Sequence, residues 1–237
     1  MKPRKPMINT HSWAVLLVAA GQSKRLKSLV PKPFLHLDSG RTMLDLCLTA
    51  FKKVAGLGYV IIVTRKDYLG RAGQALTKAG LAGVVTLGGD QREDSVWQGL
   101  QTVPPGINYV LIHDAARPFV STVVIKKVLT ETAKSGAAIP VVPVKDTLKV
   151  VVGDKVVKTL DRSTLRAVQT PQGFEVGLLK KAFKKLGKKA SFMTDDAAIV
   201  EAAGIRVKIV DGDVINFKVT TPDDLKQAKD LLLKKKG

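Results

Sequence analysis

Apolar and polar positions along this chain alternate between short β-rich runs and longer stretches of helical spacing. Mostly apolar runs near 13–19, 58–64, 82–87, 108–113 and 137–142 predict strands. Between them, 41–54, 66–79, 92–101 and 121–135 repeat their apolar residues at helical spacing and predict helices. Further helices are predicted near 175–186, 194–203 and 222–234. Continuous apolar strands separated by helices read as a parallel sheet covered on both faces. The expected fold class is therefore α/β, with a doubly wound, mostly parallel sheet of Rossmann-like type.

One stretch breaks the alternation. Across 145–159 two short valine-rich strands flank Gly153-Asp154, a hairpin turn signal. An isolated two-stranded hairpin is marginal in water, so this protruding β-arm is expected to lean on something, a second subunit being the natural support. Residues 1–12 are polar and basic with two prolines and read as a loose tail. The basic KPRK before the first apolar run, with Ala19-Ala20 after it, also imitates a secretory leader; cleavage there would delete a strand that the alternation needs.

At 237 residues, 45% of them hydrophobic, the chain can bury a full core. No apolar run approaches the roughly 20 residues of a membrane span, so no membrane partner is expected. Cys47 is the only cysteine, which rules out an intrachain disulfide and leaves a cytoplasmic location as the expectation. Lysine and arginine total 39 against 20 acids, a net charge of +19. Such a field draws in anions, nucleic acid among them. Much of the excess, however, lies on amphipathic stretches such as 178–189, where lysine is a solvated face. With 5% aromatic residues there are few platforms for stacking bases. No nucleic-acid partner is expected, and a nucleotide with a phosphorylated second substrate suits the field instead.

The candidate chemistry gathers where the predicted strands end. Residues 16–35, LLVAAGQSKRLKSLVPKPFL, run from a buried strand into a cationic loop. Ligands bind at the carboxyl ends of strands in open α/β sheets, and there Gly21 admits an anion while Lys24, Arg25 and Lys32 offer it charge. After the third strand comes GGDQREDSV, where paired glycines permit close backbone approach and Asp90 and Ser95 can bond a base or ribose. After the fourth comes HDAARP, whose Asp114 suits Mg²⁺ or a ribose hydroxyl. His113, still inside the apolar run, reads as a packed, hydrogen-bonded histidine rather than a base. Thr194-Asp195-Asp196 reads as a helix cap. Lys218 lies in a predicted strand of alternating character and is a phosphate candidate.

Taken in order, AAGQSKRLKSLVPKPF, GGDQREDSV, HDAARP, PVKDTLK, DRSTLRAVQTPQ, TDDA and NFKVTTPDDL resemble the 2-C-methyl-D-erythritol 4-phosphate cytidylyltransferases of the non-mevalonate isoprenoid pathway, over essentially all of 13–234. Two positions of the first loop depart from the family, which has glycine where Ser23 stands and methionine where Leu26 stands. The ribitol 5-phosphate cytidylyltransferases share many of these motifs, so the acceptor stays open between the two polyol phosphates.

The resemblance implies one nucleotidyltransferase domain over 13–237 with a dimerisation arm at about 143–163. It implies transfer of CMP from CTP to the acceptor, with release of pyrophosphate and with Mg²⁺ as cofactor. Arg25 and Lys32 would then be catalytic. Ala19, Ala20, Gly21, Gly89, Asp90, Ser95, Asp114 and Ala115 would frame CTP, with Asp114 also nearest the metal. Arg117, Thr147, Arg162, Thr194 and Lys218 would take the acceptor, and a homodimer would bring Thr147 and Arg162 to the partner's site.

Overall fold

The computed structural model describes residues 13–21, 24–26 and 28–234; the tail at 1–12 and Ser23 lie outside them. The first half alternates as expected: β1 (Trp13–Val18), α1 (Met43–Lys52), β2 (Leu57–Thr64), α2 (Leu69–Ala79), β3 (Gly83–Leu87), α3 (Arg92–Gln101), β4 (Tyr109–Asp114), α4 (Thr122–Ser135) and β5 (Ala137–Pro143). The second half holds β6 (Lys149–Val152), β7 (Lys155–Thr159), β8 (Arg166–Val168), β9 (Gln172–Glu175), α5 (Val176–Leu186), α6 (Asp196–Ala202), β10 (Lys208–Asp211) and α7 (Pro222–Lys234).

The main sheet has eight strands, ordered β10-β5-β9-β4-β1-β2-β3, with β8 added to β5. β3, β2, β1 and β4 run parallel, as do β5 and β10, while β9 lies antiparallel between β4 and β5. Successive side chains of each strand enter opposite faces. Val15, Leu17 and Ile62 pack beneath Leu44, Leu48 and Ile125 of α1 and α4, and Leu16, Ile61 and Ile112 pack beneath Val96, Leu179 and Ile199 of α3, α5 and α6. Full burial of each such side chain contributes about 1.5–3 kcal/mol. Helix boundaries follow local chemistry. Thr42 and Asp45 form a reciprocal capping box at the start of α1, and Gly80, with φ of 61°, closes α2 in the left-handed region.

Among the described residues β6 and β7 pair only with each other. Gly153, with φ of 59°, makes the turn, and Leu160 N–H donates to the Leu148 carbonyl near the base of the arm. The hairpin is therefore present as expected, with its valines largely in solvent.

Two features of the sequence reading change. The short strands β8, β9 and β10 had no periodic signal, because three or four residues complete barely one alternation. The expected strand around Lys218 is not formed: residues 217–220 are irregular chain, attached to the sheet by a bond from Val219 N–H to the Ala116 carbonyl.

Candidate active site

A cleft of about 650 Å³ opens at the carboxyl ends of β1 to β4. Ala20, Gly21, Arg25 and Lys32 enter it from the loop after β1, Arg65 and Lys66 from the end of β2, residues 87–92 and Ser95 from the β3–α3 connection, and Asp114 from β4. Lys218 reaches in from the segment before α7.

The cationic side of the cleft is built on anchored turns. Pro31 precedes a 3₁₀ turn, Lys32–Phe34, closed by Phe34 N–H donating to the Pro31 carbonyl. Phe34 is buried and stacks on Tyr68 with ring centroids 4.8 Å apart, which fixes the turn from which Lys32 projects. Burial, together with repulsion from Arg25 and Lys218, lowers the Lys32 ammonium from its ordinary value. Cations crowded in this way are stabilised when an anion enters.

The opposite wall is backbone. A Cβ on Gly88 would stand 2.7 Å from both the Ala20 Cβ and the Ser95 Oγ, and one on Gly89 would stand 2.5 Å from the Asp94 Cβ. Only glycine lets this loop press against the β1 end and the first turn of α3. Ser95 Oγ accepts the Gly89 N–H at 3.1 Å and donates to the Gln91 carbonyl at 3.1 Å. Ser95 thus braces the loop, and Asp90 stands exposed on its rim.

Between the walls lies Asp114. Its Oδ1 accepts from Arg92 Nε at 3.2 Å and its Oδ2 from Lys218 Nζ at 2.6 Å. Burial by itself pushes this carboxyl up, but the charges of Arg92 and Lys218 and the bond from Lys218 outweigh it, holding Asp114 well below the usual carboxylate range. Arg92 also donates to Asp196 Oδ2 at 2.8 Å. Burial pushes the Asp196 carboxyl up, and the Arg92 charge opposes that shift.

Behind Asp114 runs an inert network. The Arg117 carbonyl can only accept, so neutral His113 donates to it from Nε2 and accepts at Nδ1 from Thr170 Oγ1, which in turn accepts the Asp114 N–H. Burial pushes His113 down to about 4, so the ring is neutral near pH 7. It faces Phe51 edge-on, away from any base role, as its place in the apolar run implied.

The structure brings together Ala20, Gly21, Arg25, Lys32, Gly89, Asp90, Ser95, Asp114 and Lys218, nine of the residues singled out in the sequence. Ala19 and Ala115 lie buried just behind them, each bonded by its N–H to a neighbouring strand. The acceptor set is more scattered. Arg117 is turned to the scaffold, donating to the carbonyls of Asn216 at 2.8 Å and Val168 at 3.5 Å. Thr147 and Arg162 lie exposed on the arm and beside it, with Arg162 bonded to the Lys145 carbonyl, and Thr194 is exposed just before α6; none lines the cleft. Arg92, Arg65 and Lys66 line it without having been singled out. Arg92 stood inside the quoted GGDQREDSV, but its partners are 22 and 104 residues away, beyond any spacing signal.

Among the described residues no group of three metal-ligating side chains occurs. One buried, ionised carboxylate at the floor of a cationic cleft nevertheless suits magnesium, which is commonly held by one or two carboxylates plus substrate phosphates. Among the described residues no helix is long and apolar enough to cross a membrane.

A family model described as 2-C-methyl-D-erythritol 4-phosphate cytidylyltransferase matches residues 13–234. The chain is 41% identical to the Bacillus cereus protein of that name over 93% of this chain and 97% of that one. Among solved structures it is similar to the Thermus thermophilus 2-C-methyl-D-erythritol 4-phosphate cytidylyltransferase, with 36% identity, a TM-score of 0.75 and coverage of 93% and 98% of the two chains. It is also similar to the Anaerococcus prevotii 4-diphosphocytidyl-2C-methyl-D-erythritol synthase, with 28% identity, a TM-score of 0.83 and coverage of 94% and 97%.

Proposed function

The chain belongs to the 2-C-methyl-D-erythritol 4-phosphate cytidylyltransferase family, and we propose that it transfers CMP from CTP to 2-C-methyl-D-erythritol 4-phosphate, giving 4-diphosphocytidyl-2-C-methyl-D-erythritol and pyrophosphate. The observation that carries this reading is a single cleft in which a closely packed glycine loop, a cationic loop and an ionised aspartate converge. The family likeness favours this acceptor over ribitol 5-phosphate, and a basic nucleic-acid binder has no comparable support.

The acceptor's phosphate oxygen forms a bond to the α-phosphorus of CTP as the bond to the bridging oxygen breaks, and that electron pair leaves with pyrophosphate. No enzyme nucleophile is required, which accords with a neutral, buried His113 and with an Asp114 carboxylate tied up by Arg92 and Lys218. The chain's contribution is positioning and charge. The Gly88–Gln91 loop holds the base, Asp114 the ribose, and Arg25 and Lys32 meet the charge that builds on the phosphoryl oxygens. Magnesium, held by Asp114 and the phosphates, would supply further neutralisation of that charge. Lys218 faces the acceptor phosphate, whereas Arg117, held on the Asn216 and Val168 carbonyls, and Thr194, exposed outside the cleft, would have to turn inward to reach it.

The exposed arm supports a homodimer of one-domain subunits in which Thr147 and Arg162 of one chain complete the pocket of the other, and we place the enzyme in the cytoplasm. The test is pyrophosphate release with CTP, ATP, GTP and UTP against each polyol phosphate. CTP with the methylerythritol phosphate is expected to lead every other pairing by at least about ten-fold in kcat/KM. A lead for ribitol 5-phosphate overturns the acceptor, and equal rates with CTP and ATP overturn the donor.

A further inference from the structure

The Thr194-Asp195-Asp196 motif divides its acids between two tasks. Asp195 caps α6, its Oδ1 accepting the Ala198 N–H at 2.8 Å. Asp196 is fully buried and does not line the cleft, yet it receives Arg92 Nη2 at 2.8 Å while Arg92 Nε reaches Asp114 at 3.2 Å. One guanidinium therefore joins the carboxylate that faces the cleft to one that never meets a ligand. The backbone that carries the far carboxylate is held in place: Gln172 of β9 donates to Asp195 Oδ2 at 2.7 Å and accepts the Ala197 N–H at 3.0 Å, pinning the start of α6 to the sheet.

We propose that Arg92, oriented by Asp196, is the positioning residue that fixes the plane of the Asp114 carboxylate for the nucleotide; this inference rests on the cytidylyl-transfer reading above. A carboxylate can turn about its Cβ–Cγ bond unless its two oxygens are gripped from different directions. Lys218 holds one oxygen of Asp114, but as a compact ammonium on a flexible stem, 38% exposed, it sets no plane. Arg92 holds the other through a rigid planar fork whose second prong is anchored on Asp196. Arg92 also opens α3, so the residue that orients Asp114 is continuous with the loop that frames the base.

The pair is also poorly made for stability alone. Asp196 Oδ1 is buried without a hydrogen-bond partner, and Arg92 Nη1, equally buried, has no hydrogen bond and only an ion pair with Glu93 Oε1 at 3.7 Å. Unpaired buried polar atoms are costly, and apolar residues of similar volume often replace a buried ion pair with no loss of stability. A buried fork that adds so little stability fits a geometric task better than a structural one.

The experiment compares the wild-type chain with Arg92→Lys, which keeps the charge and loses the fork, and with the double variant Arg92→Met/Asp196→Leu, which removes both charges of the pair together, leaves Asp114 to Lys218 and takes from Glu93 its partner at 3.7 Å. CTP affinity is read by calorimetry, kcat by pyrophosphate release, and folding by Tm. Both variants are expected to keep Tm within about 4 °C of wild type. Both should bind CTP about ten-fold more weakly and turn over about 10² more slowly, the scale of a small misplacement of a reacting group. A folded variant of either kind with CTP affinity and kcat within about two-fold of wild type overturns the inference. If the double variant does not fold, Arg92→Lys decides the matter alone. Failure of the wild-type chain to bind CTP overturns the functional reading and this inference together, whereas equal binding by wild type and variants overturns this inference only.

Discussion

Valine-rich strands occur in two places in this molecule and meet opposite fates. In β1 and β2, Val15, Val60 and Val63 are fully buried, whereas Val151, Val152, Val156 and Val157 in β6 and β7 are between 58% and 70% exposed. The residue type is the same; what differs is the cover. Helices lie on both faces of the main sheet, and among the described residues no third strand joins the arm. The charges divide the same way. Around Asp114, cations and carboxylates settle into a closed set of ion pairs, while the lysines of the arm project into solvent. The framework of the cleft is covered on all sides by its own chain, and the arm stands in solvent.

That contrast is open to direct attack. The largest effect is expected inside the cleft: Lys32→Ala or Arg25→Ala should each lower kcat by about 10² to 10³ with little change in CTP affinity, because such charge matters most as the transition state forms. A variant that keeps kcat and only raises KM would make the residue a ground-state anchor instead.

Next comes the buried support of the cleft. His113 is held neutral at about 4 in the folded chain against 6.5 in the open one, so the unfolded state binds the extra proton between those values. Stability contributed by this site is therefore full above about pH 6.5 and falls as pH drops toward 4, by about 3 kcal/mol in all. Thermal melts across that window should show the loss, and His113→Gln should flatten the slope; an unchanged slope would place the acid sensitivity elsewhere.

The arm answers to a different assay. Mixing Lys32→Ala with Arg162→Ala chains after dissociation should restore about a quarter of wild-type activity if Arg162 serves the partner's pocket, since about half the dimers are mixed and each has one intact site. No recovery would return Arg162 to its own chain. The smallest effect is expected at Val151→Ser with Val157→Ser: in chains diluted to single copies, stability should move by no more than about 0.5 kcal/mol, whereas sedimentation at high concentration should show weakened pairing. A large loss in the single chain would mean that the arm packs on its own body.

The parallel half of the fold was legible because each strand there is a long apolar run and each helix carries a full amphipathic face. The helix opening at Arg92 and the turn at Gly153 were readable for the same local reasons. The Lys218 strand was misread because alternation along 216–220 reflects contacts to Ala116, Thr170 and Asp114, not a ladder. In the cleft, the loop residues were visible as strand-end motifs, while the tie from Arg92 to Asp196 was not. Pairing across 104 residues is a property of the folded sheet and leaves no trace in spacing.

β9 has one more consequence. It is the seam between the β3-β2-β1-β4 block and the β5-β10 pair, and it comes from beyond the arm in the chain. The exposed edge of β4 therefore has no mate during synthesis until residues 172–175 have been made, long after its own block can settle. Joining the two blocks is a late, non-local step, which is slow by nature, and an unpaired edge waiting through it is a template for wrong partners. The order of strands in this sheet thus sets a window of vulnerability in the life of the newly made chain.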